Sequence, residues 1–293
     1  MEDFVKYIYN IKIEDYRENS GIYYIKSGQE NYMLVTFFDN PINLYKKYIF
    51  LKRNNVFCYD IIFNRYNEIV SDYKSKQYIL FKKNIVSKKY ITIIELCAPT
   101  PIFEYKNQTD VKNKWKLKND YYESILEKSC SNSLELFVNF DYYLGLGELA
   151  ISLLNYINFD NIPLYAQHIR LKCENCIKDY YDPRNIIVDS RIRDISFYIK
   201  DTFFENDISI SEIKTIIEKM VLNNDEALLF FARMLYPDYY FDICDDILNK
   251  NVNNFGLKKC IKKNIQYEIF LKSIYQCLNK IYNFPSIQWL SIK

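Results

Sequence analysis

The chain has 293 residues, 49% of them apolar and 26% charged, which is the profile of a folded protein with a sizeable core and excludes a disordered one. Its 39 basic and 37 acidic residues leave a net charge of +2 with no basic face, so no nucleic-acid partner is expected. No apolar run approaches membrane-spanning length and the start Met1-Glu2-Asp3 is acidic, so a cytoplasmic protein without membrane association is expected.

The 29 Tyr and 20 Phe accompany plentiful Ile, Asn and Lys, the joint bias of an AT-rich coding sequence, and carry no functional weight by number alone. Eight Cys are scattered along a chain large enough to need no staples, which points to free thiols. Cys173 and Cys176 form a lone C-x-x-C. Zinc would need two further ligands and the chain has one His, so structural thiols are expected and no metal.

In chain order, Ile22 to Lys26 and Asn31 to Phe38 are β-branched and aromatic runs around Ser27-Gly28-Gln29-Glu30, a hairpin signature. Asp39-Asn40-Pro41 offers a cap and a first-turn proline, and Ile42, Tyr45, Tyr48 and Ile49 continue at helical spacing to Asn54. Val56 to Ile62, Gln77 to Phe81 and Tyr90 to Leu96 read as further strands. Cys97-Ala98-Pro99-Thr100-Pro101 then breaks the pattern, because two close prolines forbid a continuing helix or central strand.

Beyond it, apolar residues at three- and four-residue spacing predict helices over 111–128, 134–157, 211–222, 225–235, 239–249 and 267–282. Strands first and helices after signal an α+β protein in two lobes. A sheet-containing lobe is expected over 1–98 and a helical lobe over 99–293.

Three stretches carry a resemblance. They are Asp141-Tyr142-Tyr143-Leu144-Gly145-Leu146-Gly147-Glu148, Arg193-Asp194-Ile195-Ser196-Phe197-Tyr198-Ile199, and Phe231-Ala232-Arg233-Met234-Leu235-Tyr236-Pro237 with Tyr239-Tyr240-Phe241. With Trp115 and in this order, they resemble the spore-coat YutH/CotS family, related to aminoglycoside phosphotransferases. The resemblance implies a two-lobed protein-kinase-like fold, a small antiparallel-sheet lobe with one helix and a larger helical lobe. It also implies association with spore-coat proteins.

An active enzyme of that fold needs a Gly-rich turn over the phosphates, a strand Lys paired with a helix Glu, a catalytic Asp, a metal-binding Asn and a second metal Asp. The chain has five Gly, and Gly21 alone falls before Lys26. The strand 31–38 holds no Lys or Arg, and the helix after Asn40 holds no acid. The family pattern H-G-D-x-x-x-x-N lies on His168 to Asn175 with Arg170 at the Asp position, and a guanidinium cannot accept a substrate proton. Asp179, Asp182 and Asp189 are candidates for the second metal Asp, none followed by the aromatic-Gly pair. Asp194 fits as a structural acid opening the next helix. Asp238, Asp242, Asp245 and Asp246 read as a solvated acidic face answering Lys250 and Lys258.

The expectation is therefore a catalytically inactive kinase-like protein that acts as an interaction or assembly component and takes no cofactor. The alternative is an atypical small-molecule phosphotransferase using ATP. Oligomeric state is not legible in the sequence.

Overall fold

The computed structural model describes the chain except for residues 20, 84–92, 104–109, 129–138, 172–179, 207, 251–254 and 292–293. By internal packing it divides into two compact units. The first is Met1–Ile91 with Thr100–Phe103 and Glu174–Ile187; the second is Thr92–Pro99, Glu104–Cys173 and Val188–Lys293.

The first unit is an antiparallel sheet with a helix on each face. Strands β1 (Asp15–Asn19), β2 (Ile22–Ser27), β3 (Glu30–Thr36), β6 (Lys76–Lys83) and β4 (Asp60–Ile62) lie in that spatial order, and β5 (Ser71–Tyr73) also pairs with β6. The predicted hairpin turn joins β2 to β3, and Gly28 sits there at φ +59°, a left-handed conformation that penalises any side chain.

Alternation along β3 divides the core. Leu34 and Tyr32 pack with Phe4, Val5 and Tyr9 of α1 (Glu2–Tyr9), while Met33 and Val35 pack on the other face with Leu44 of α2 (Pro41–Arg53), Tyr59 and Phe81. Helix α2 starts where the sequence predicts. The Asn40 carboxamide accepts from the Ile42 and Asn43 amides, and Pro41 occupies the first turn, where no amide is needed.

Two predicted strands differ from what forms. Of the run 56–62 only Asp60–Ile62 pairs as a strand; the Tyr59 amide donates to the Tyr181 carbonyl instead, at 2.8 Å. The described end of the run 90–96 is a short helix, α3 (Ile93–Cys97), in the second unit. It packs on two helices rather than on a sheet, and a short apolar run has no period that tells the two apart.

The second unit is helical: α3, α4 (Val111–Lys128), α5 (Phe140–Leu153), α6 (Ile192–Asn206), α7 (Ile210–Met220), α8 (Asn224–Leu235), α9 (Asp238–Lys250), α10 (Phe255–Lys262), α11 (Asn264–Leu278) and α12 (Gln288–Ser291). A small sheet pairs β7 (Leu164–His168) with β8 (Ile186–Ser190), the strand at which the chain passes from the first unit into the second. Helix α8 is its centre, with Glu226 through Leu235 all buried, as a helix apolar on every side must be. Its first turn closes a capping box between Asn223 and Glu226, and the Glu226 carboxylate also takes two bonds from Arg191, at 2.7 and 2.8 Å.

Candidate functional site

Strand β7 ends at His168 and α6 begins at Ile192, and short polar contacts tie the two points together. Asp194, in the first turn of α6, accepts from the His168 amide at 3.0 Å and meets its ring Nδ1 at 2.5 Å. Gln167 Oε1 accepts from the Asp194 amide at 3.0 Å. Arg193 donates through Nε to the His168 carbonyl and through Nη2 to that of Ile169, both at 2.7 Å. Thus the carboxylate answers the strand-end amide while the neighbouring guanidinium answers its carbonyls. His168 and Asp194 are 3% and 2% exposed, so both serve as structural fasteners.

Asp189, on β8, is the one candidate metal carboxylate described in the second unit. It is 3% exposed and accepts from the Ser190 amide at 2.7 Å. Arg233 Nη2 reaches its two oxygens at 3.0 and 3.2 Å, and Arg193 Nη1 reaches Oδ2 at 3.1 Å. Burial alone would raise this carboxyl, but the two guanidiniums outweigh it and hold the group below the usual carboxylate range. Asp182 lies in the first unit and is also engaged: the Arg184 guanidinium grips both its oxygens, with Nε at 3.0 Å from each. Asn175 and Asp179, like Cys173 and Cys176, lie outside the described residues.

Arg170, where the sequence pattern would put a catalytic Asp, is turned toward α9. It forms an ion pair with Asp242, stands 3.9 Å from Asp238, and lies over the Phe197 ring with its guanidinium carbon 4.4 Å from the centroid. Lys118 approaches Asp242 at 3.6 Å, and Lys200 meets Asp238 at 2.7 Å. The acids at 238 and 242 therefore answer Arg170, Lys118 and Lys200. Burial pushes the Lys200 amine down to about 8, against the pull of Asp238. It remains well supplied with acceptors, donating to the Arg233 carbonyl at 2.8 Å and that of Tyr236 at 3.1 Å. Burial likewise raises the Asp242 carboxyl, with Arg170 opposing it.

In the first unit, Met33 and Val35, on the strand where the resemblance leads one to expect a phosphate-pairing Lys, are 2% and 1% exposed in an apolar core. Helix α2 carries no acid to pair with such a Lys. It presents Lys47, whose Nζ donates to the Arg184 carbonyl at 2.9 Å and whose amine is pushed down by burial. Among the described residues no three His, Cys, Asp or Glu form a group able to hold a metal ion. Asp182 and Asp189 are each held by guanidinium groups rather than left open. A hard cation at Asp189 would have to displace two guanidiniums.

Four stacked ring pairs join the segment from Tyr236 to Phe241, which leads into α9, to neighbouring helices. Trp115 stacks on Tyr236 at 4.2 Å between centroids, Tyr122 on Phe241 at 4.5 Å, Tyr143 on Tyr240 at 3.8 Å, and Phe204 on Tyr239 at 4.2 Å. Asn119, 1% exposed, donates to Glu148 at 2.9 Å beside Gly147. Arg193, Arg233 and Phe197 were visible only as letters in those stretches; their partners follow from packing.

Comparison with curated proteins finds no match. Solved structures match over nearly the whole chain. An aminoglycoside phosphotransferase from Alicyclobacillus acidocaldarius is 12% identical with a TM-score of 0.61, covering 93% of this chain and 95% of that one. The AMP-bound spectinomycin phosphotransferase APH(9)-Ia is 13% identical with a TM-score of 0.60, covering 96% and 97%. Choline kinase LicA from Streptococcus pneumoniae is 13% identical with a TM-score of 0.53, covering 94% and 97%. At such identities the likeness shows the fold, which is kinase-like. Among the described residues no helix is long and apolar enough to cross a membrane. The family profile described as spore coat putative kinase YutH matches residues 105–274, more than half the chain and all three of the stretches above, and the chain belongs to that family.

Proposed function

We propose that this chain is a kinase-like protein without phosphotransfer activity, acting in the cytoplasm as an interaction component in spore-coat assembly, with coat proteins as its partners. The observation that carries the reading is the capture of Asp189 by Arg233 and Arg193. A carboxylate in that state is satisfied inside the protein and is poorly placed to bind magnesium. Arg170, at the catalytic position, and the apolar Met33 and Val35 point the same way.

The second reading, a small-molecule phosphotransferase using ATP, draws on the names of the structurally similar enzymes. Incubation with ATP, magnesium, and spectinomycin or choline separates the two. Acceptor-dependent ADP release above the no-protein rate would sink the first reading. For the assembly role, a tagged chain followed through sporulation should concentrate at the forming coat, and a signal that stays diffuse throughout would count against it.

A further inference from the structure

Helix α11 carries a buried face and an open one. Tyr267, Phe270, Leu271, Ile274, Tyr275 and Leu278 are buried and fix it in the second unit. On its open side Ile265 and Ile269 are 74% and 58% exposed. Four residues apart on a helix, they stand side by side as one apolar ridge. Lys262, which closes α10, comes three residues before Ile265, and Lys272 comes three after Ile269, so a cation brackets the ridge at each end.

Nearby lysines are used inside the unit: Lys259 pairs with Glu205 at 2.6 Å, and Lys263 donates to the Phe203 carbonyl at 2.8 Å. Among the described residues neither Lys262 nor Lys272 forms an ion pair. The one acid of α11, Glu268, is half-buried and lies beside Tyr142 of α5, whose hydroxyl is pushed up by burial and by this carboxylate. Gln266 and Gln276, also exposed, are neutral. The open face is thus an apolar ridge with positive charge at both ends.

That pattern selects among occupants. A second copy does not complement it: an antiparallel pairing that sets Ile265 of one copy against Ile269 of the other also sets Lys262 against Lys272, and like charges repel. Lipid is a poor match, because a single myristoyl chain gives only marginal membrane binding and two Ile side chains present less hydrocarbon. We propose that α11 docks an acidic amphipathic helix of a partner protein. Its apolar side chains pack around the Ile265–Ile269 ridge, and its carboxylates meet Lys262 and Lys272. The proposal rests on the interaction role given above and states the partner chemistry; the phosphotransfer assay judges that role, and peptide binding judges this surface.

Fluorescence anisotropy with the full chain tests it. The probe is a labelled peptide of repeated Leu-Glu-Ala-Leu-Glu-Ala-Glu, which places Leu on one helical face with Glu beside it. Saturable binding is expected, weaker at high salt. Ile269→Ser should weaken it about tenfold, the loss of one buried aliphatic side chain. Lys262→Glu combined with Lys272→Glu should weaken it by about tenfold or more, since repulsion replaces attraction. These side chains are not part of the core, so the variants should keep the native urea midpoint, and Lys46→Glu in the first unit should bind as the native chain does. The absence of saturable binding overturns the proposal, as does unchanged affinity in Ile269→Ser or in the lysine double variant. Equal binding of a peptide of the same composition with its Leu dispersed around the helix would reveal plain polyanion attraction and overturn it too. So would failure of the peptide alongside binding to phosphatidylglycerol vesicles, or self-association, that these variants abolish.

Discussion

Replacing Arg233 by Met leaves Asp189 buried with one guanidinium instead of two. Breaking a buried ion pair from one side costs roughly 3–5 kcal/mol, and since Arg193 still reaches Oδ2 the loss should fall at the lower end. Urea unfolding at pH 7 measures it. The acid limb provides a second readout. Asp189 has a folded pKa below its unfolded value, so its contribution is present above about pH 4 and is lost as pH falls through the folded value. In the Arg233→Met protein that loss should begin at higher pH.

Lys200 runs in the opposite sense. Its folded value of about 8 lies below the 10.5 of a free lysine, so between these the unfolded chain binds more protons. Stability from this residue should therefore rise with pH across that window. The difference in unfolding free energy between the native protein and Lys200→Met should grow from pH 8 to pH 10, and a flat difference would show that Lys200 stays protonated. Arg170→Asp should give no phosphotransfer, because it puts a third carboxylate beside Asp238 and Asp242 and restores neither the strand Lys nor a free Asp189.

Among elements, the turn from α8 into α9 is the tie of the second unit, since aromatic residues from Tyr236 to Phe241 stack on rings from α4, α5 and α6. Tyr240→Ala removes a ring 1% exposed and should cost roughly 3–5 kcal/mol, read as a lower urea midpoint. Gly147→Ala, on α5, would bring a Cβ to 2.8 Å from the Asn119 carboxamide, which is also bonded to Glu148. The amide must move, so a loss of roughly 1–3 kcal/mol is expected, and Asn119→Ala in the same protein should recover part of it. Elements with strong local signals were legible in advance: α2 by its Asn-Pro cap and α4 by periodicity over 18 residues. The helix α3 was not, because five residues are too short to show a period and tertiary contacts decided its form.

For the whole molecule, the expectation is that ATP with magnesium produces no magnesium-dependent rise in thermal midpoint. A ligand at about a hundred times its dissociation constant adds roughly 2.7 kcal/mol. For a protein of this size that is a shift of several degrees, at roughly 2–4 °C per kcal/mol. A saturable shift of that size that vanishes with EDTA would favour the phosphotransferase reading.

Features that depend on residue type and on neighbours close along the chain are legible without coordinates. The α+β order, the hairpin at Gly28, the cap at Asn40, the missing Lys on β3 and acid on α2, and the Arg at position 170 can all be read without coordinates. The family resemblance was legible for the same reason, since its motifs are short and local. Which charges meet, by contrast, depends on how distant segments pack. Asp189 and Arg233 are 44 residues apart, and Arg170 and Asp242 are 72 apart by their numbering. Nothing local distinguishes a carboxylate poised for a metal from one held by two guanidiniums, because an ion pair depends on distances that packing alone sets.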